Sequence, residues 1–139
     1  MILNEQYHEL AFYTLSLGDK QFIHQHLVDA YSAQMATNTT KPITILFALA
    51  GLYLMVEKDY TGKQVQLAHI QMAKRYSTPI NIALPKERGS LTISDVLAIA
   101  PGKDRDAMIV QWCVSVWAAY KQVHPIIIET THQSLGRVL

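Results

Sequence analysis

The sequence predicts an all-α fold, a compact bundle of five to six helices with one long loop at about 77–91. Two observations carry this. Apolar residues recur at helical spacing, as Val65, Ala68, Met72 and Ala73 do. Helix punctuation divides the chain at short intervals, with Asn4, Thr61 and Thr92 placed as caps and Gly18 and Gly102 as breaks. A length of 139 residues suits one domain, 1–139.

Asn4 caps a first helix running to about Leu17, which Gly18 ends. Asp19 caps a second, expected at about 20–36. Thr39 or Thr40 caps a third, with Pro42 in its first turn, ending near 57–59. Gly51 inside it reads as a close helix contact. Thr61 caps a fourth helix, to about Tyr76. The stretch 77–91 holds Pro79, Pro85 and Gly89 without a period, which is long for a connection in a small domain. Thr92 or Ser94 starts a short helix to Ile99, broken by Pro101 and Gly102. A long helix follows from about Lys103, with Asp104 and Asp106 in its first turn. Its 108–120 stretch is apolar nearly all round, as a central helix would be. Pro125 must kink or restart the chain, and three β-branched isoleucines after it weaken the case for a final helix.

Half the residues are hydrophobic and only 17% charged, so some apolar surface is expected at an interface. The expectation is a homo-oligomer, a twofold dimer, with room for a further protein partner. A net charge of +1 without a basic stripe argues against nucleic acid and acidic membranes as partners. The apolar run 43–56 falls short of the roughly 20 residues that span a bilayer. No signal peptide is read at the N-terminus, so the expected location is cytoplasmic. Cys113 is the single cysteine and reads as a small buried hydrophobe.

The chemistry-bearing residues gather on the second and fourth helices. His24 and His26 are about 200° apart on a helix, so one of them at most shares a face with a given partner. His26 and Asp29 do share a face, as do Gln25 and Asp29. The fourth helix adds Gln66 and His69, and the third ends at Glu57. Together His26, Asp29, Glu57 and His69 are the type of ligand set that holds a divalent ion such as zinc, iron or manganese. Gln66 stands where a di-iron motif would want Glu, and no His-Glu-x-x-His run exists. A polar network that merely fixes helix register would look the same, and outweighs the metal. Arg88, before Gly89, is placed to clamp an anion or to sit solvated in the loop. No Ser-His-Asp arrangement, phosphate-cradling loop or dinucleotide fingerprint is present.

The run His24-Gln25-His26, then Val28-Asp29-Ala30-Tyr31 and Gln34, together with Thr61-Gly62-Lys63-Gln64-Val65-Gln66 and His69, resembles a small bacterial family of domains of unknown function. The resemblance continues through Gly51-Leu52-Tyr53-Leu54, Arg88-Gly89, Trp112 and Trp117, nearly the whole chain. It implies a polar site around His26, Asp29, Gln34 and His69. It also implies histidines in relatives at the positions of Met35 and Met55, from which this chain departs with fewer metal ligands.

Three functions follow as expectations. The first is a binding protein or enzyme with a polar pocket between helices. His24, His26, Asp29, Gln34, Gln66 and Arg88 would touch a ligand, and His26, Asp29, Glu57 and His69 a metal; no catalytic residue is assigned. The second is a non-enzymatic interaction module whose polar cluster is structural. The third is a small-molecule sensor using Trp112 and Trp117 as an apolar pocket wall.

Overall fold

The computed structural model describes residues 3–76 and 80–136. They form seven α-helices and no strand: α1 (Leu3–Ser16), α2 (His24–Gln34), α3 (Pro42–Lys58), α4 (Gly62–Arg75), α5 (Ile93–Leu97), α6 (Lys103–Ala119) and α7 (His124–Leu135). One 3₁₀ turn, Lys121–Val123, joins the last two. The all-α class holds, with one helix more than expected. Pro125 sits in the first turn of α7, where its missing N–H costs no hydrogen bond. Tertiary burial of Ile127 overrides the weak helix propensity of the isoleucines.

The most apolar helix, α3, is the hub. It packs against α2, α4, α6 and α7, while α1 lies against α2 and α5. Leu46, Leu49, Leu52 and Leu54 of α3 are fully buried, as are Leu27 of α2 and Ile109, Trp112 and Val116 of α6. No described helix is long and apolar enough to cross a membrane.

Capping follows the sequence at α4 but not at α1 or α3: Asn4 lies inside α1, and the residue before α3 is Lys41, without a side-chain cap, rather than Thr39 or Thr40. Thr61 and Gln64 form a reciprocal box at the start of α4, with bonds of 3.1 and 2.8 Å. Asp59 ends α3 in the left-handed conformation. The second helix starts four residues later than expected, at His24. Asp19 accepts the Ile23 N–H at 2.9 Å, but Phe22 has φ 56° and interrupts the helix. The reason is tertiary. The Gln21 carbonyl accepts the Lys63 N–H at 2.9 Å, and α4 starts directly on this link, where a side chain at Gly62 would overlap the Phe22 carbonyl. The long loop is described from Ile80 onward and runs without helix to Thr92.

Candidate functional site

Helix α2 presents polar side chains in four directions, and each meets a different neighbour. His24 faces α1, where its Nδ1 lies 2.8 Å from the Thr14 hydroxyl. Gln34 faces the loop and α6. Its amide donates to the Leu91 carbonyl at 2.7 Å and the Arg88 carbonyl at 3.1 Å, and its oxygen accepts from Trp112 Nε1 at 2.9 Å. Arg88 in turn donates to the carbonyls of Pro85, Gln34 and Ala36. Gln34 and Arg88 thus tie the loop to the end of α2. Gln66 accepts from Lys63 Nζ at 3.0 Å on the outer face of α4.

Asp29 faces α3 and α4. Its side chain is 3% exposed. Oδ1 accepts from Gln25 Nε2 at 3.2 Å, one helical turn earlier, and Oδ2 is buried with no hydrogen-bond partner. The space for this carboxyl is the missing side chain of Gly51 in α3. A Cβ there would overlap Oδ2, lie 2.7 Å from Asp29 Cγ and 3.1 Å from His69 Nε2. The close contact expected at Gly51 is therefore with two polar side chains, which an isolated glycine in an apolar helix gives no means of naming. His69 comes from α4. Its Nε2 donates to the Phe47 carbonyl at 2.7 Å, and its ring stacks on that of Phe47 at 5.4 Å. Because a carbonyl only accepts, Nε2 carries the hydrogen and Nδ1 keeps a lone pair.

Burial sets the protonation of both groups. It pushes the Asp29 carboxyl well above the usual carboxylate range, with the Gln25 bond pulling weakly the other way. It holds the His69 imidazole below its ordinary value, partly offset by the Phe47 carbonyl. The pair tends toward a neutral acid beside a neutral imidazole, a set that both donates and accepts hydrogen bonds. Gln25, Asp29 and His69 line the back of an open groove of about 370 Å³, whose outer walls include Ile43, Thr44 and Phe47.

His26 turns away from this groove. It is 7% exposed, its Nδ1 has no partner, and it lines a different cavity. Glu57 accepts from Trp117 Nε1 at 2.6 Å. The expected metal set of His26, Asp29, Glu57 and His69 is therefore corrected. Among the described residues no group of three or more His, Cys, Asp or Glu side chains is placed to hold a metal ion. The physical reason is angular. His26 and Asp29 differ by about 60° around α2, enough for them to meet different neighbours.

The tryptophan wall is also corrected. Trp112 is fully buried and Trp117 nearly so, the latter stacked on His124 at 3.6 Å, and neither lines the groove or the His26 cavity. Cys113 is buried as expected, its thiol donating to the His26 carbonyl at 3.6 Å. Burial and the nearby Asp29 push that thiol far above its ordinary range.

No curated protein and no solved structure matches the chain. A family model does, over residues 4–121, and it covers α1 to α6 with every residue of the groove. The chain belongs to that family, DUF5946, a family of unknown function.

Proposed function

We propose that the protein binds a small polar ligand in the groove between α2, α3 and α4, with Gln25, Asp29 and His69 as its recognition groups. The observation that carries this is the Asp29 oxygen left buried without a partner on the bare backbone of Gly51. Polar networks that only fix packing satisfy their members, as Gln34 and Arg88 do here. An orphaned buried oxygen costs about 1–3 kcal/mol, a penalty a packing role does not explain. A ligand group reaching the back of the groove would offset it. The Asp29 carboxyl supplies a donor or acceptor, the Gln25 amide a second contact, and the His69 imidazole a third.

The test is a screen of small polar compounds (amino acids, amides and ureas) by amide NMR on the wild type and on Asp29→Leu. Binding should shift the amides of Phe47, Gly51 and His69 in the wild type and not in the variant. Asp29→Leu removes the partnerless oxygen but adds volume against Gly51, so its urea stability should stay within about 2 kcal/mol of the wild type, the relieved polar penalty offsetting the overpacking. A strongly destabilised variant, with no compound shifting the groove in the wild type, would instead make Asp29 a structural residue.

A second reading, an interaction module acting as a homodimer, is supported by apolar side chains standing in solvent. Phe12 is 75% exposed with Leu15 beside it on α1, and Leu67 and Ile70 are paired the same way on α4. Sedimentation velocity on the wild type and on Leu67→Glu/Ile70→Glu decides it: a monomeric wild type removes the dimer.

A further inference from the structure

A second cavity, about 670 Å³ in volume, is lined by His26 and not by Asp29. It is bounded by the α1–α2 link, the end of α3, the start of α4 and one face of α6. Its wall carries three carboxylates, Asp19, Asp59 and Asp106, and no lysine or arginine. The whole chain has a net charge of +1, so this concentration of negative charge is local. Asp19 uses one oxygen on the Ile23 N–H, and Asp106 uses one on the Tyr13 hydroxyl, which leaves each with a second. Asp59 caps α3, whose C-terminal carbonyls add negative potential on the same side.

Acidic side chains alone attract only counterions. The independent observation is His26. The residue is 7% exposed, its Nδ1 is buried without a hydrogen-bond partner, and it lines this cavity. Beside the carboxylates the wall carries the polar Gln21, Tyr60 and Thr61 and an apolar part with Leu17, Met55, Val110 and Val114, of which Leu17, Val110 and Val114 are each at least 41% exposed. A metal ion would not use such a wall, and the described residues do not gather a metal-holding group.

We propose that this cavity binds an organic cation, a protonated amine carried on an apolar body. The ammonium lies in the negative field that Asp19, Asp59 and Asp106 spread over the wall, the accessible edge of the His26 ring accepts a hydrogen bond, and the body covers Met55, Val110 and Val114. Burial lowers the His26 pKa to about 4 against the pull of Asp19, so at neutral pH the ring keeps a lone pair and adds no repelling charge.

The experiment is amide NMR titration with three probes of one shape: phenethylamine, 2-phenylethanol and 3-phenylpropanoate. Phenethylamine should shift residues of the cavity wall and bind about tenfold or more tighter than the alcohol, with the carboxylate weakest. Asp59→Asn should weaken phenethylamine several-fold and leave the alcohol unchanged. Asparagine tolerates the left-handed conformation at this exposed position, so the variant keeps the fold. Equal binding of amine and alcohol, no binding at millimolar concentration, or shifts confined to the Asp29 groove would each overturn the proposal. The last result would leave the polar-ligand groove standing, so the two sites fail separately.

Discussion

Replacing Gly51 by alanine tests whether Asp29 truly occupies the missing side chain. In an exposed helix the change would stabilise by about 1 kcal/mol through propensity. Here the new methyl meets Asp29 Oδ2 and Cγ directly and comes within 3.1 Å of His69 Nε2. The carboxyl is 3% exposed and packed against Gly51, and its short side chain offers few alternative rotamers. Overpacking of this kind costs about 1–3 kcal/mol against the propensity gain of about 1 kcal/mol, so Gly51→Ala should destabilise the wild type by up to roughly 2 kcal/mol net. In an Asp29→Ala background the obstruction is gone and the propensity gain returns. The same substitution should then be neutral or stabilising by up to about 1 kcal/mol. The coupling between the two sites should therefore be about 2 kcal/mol, read from urea unfolding of the four proteins at pH 7. Equal costs of Gly51→Ala in both backgrounds, within about 0.5 kcal/mol, would refute the assignment of that space to Asp29.

Three further outcomes follow from the same geometry. His26 is held neutral by burial, with a pKa of about 4 against 6.5 in the unfolded chain, so its contribution is complete above pH 6.5 and is lost as pH falls through 4. Between pH 7 and pH 5 this costs the wild type about 2 kcal/mol, and His26→Gln should lose correspondingly less over that range in urea titrations. Gln34→Ala removes the acceptor of a buried indole N–H and both ties to the loop. It should destabilise by about 1–3 kcal/mol and speed proteolysis within the loop before α5, followed by mass spectrometry of the fragments. Cys113, buried and with its thiol pushed up, should react with a thiol-specific disulfide reagent only as fast as the protein unfolds; rapid native-state labelling would contradict its burial.

Helix existence was legible wherever the signal was local. Thr61 with Gln64 three residues on, Pro42 at a first turn and Gly18 after a periodic run each mark a boundary through their own backbone chemistry. The start of α2 was not legible, because Phe22 is held out of the helix by the backbone of α4, some 40 residues away. The candidate site shows the same limit. Helical spacing places Gln25 and Asp29 together correctly, since both stand on one helix. It cannot say which neighbours meet α2, and so His26 and Asp29 read as one cluster when the bundle places them in two. Glu57 looked available for a ligand until α6 brought Trp117 to it.

The joint at Gln34 also bears on how the chain reaches its native state. Helices α2, α3 and α4 follow one another through short connections, so their mutual contacts close small loops and form early. The contacts of Gln34 with Trp112, and of the Tyr120 hydroxyl with the Ala33 carbonyl, join residues separated by 78 and 87 positions. Those long closures come after the rate-limiting step on this account. Weakening them should steepen escape from the folded state and leave the rate of its formation nearly unchanged, making the α2–α6 seam the determinant of how long a folded molecule lasts.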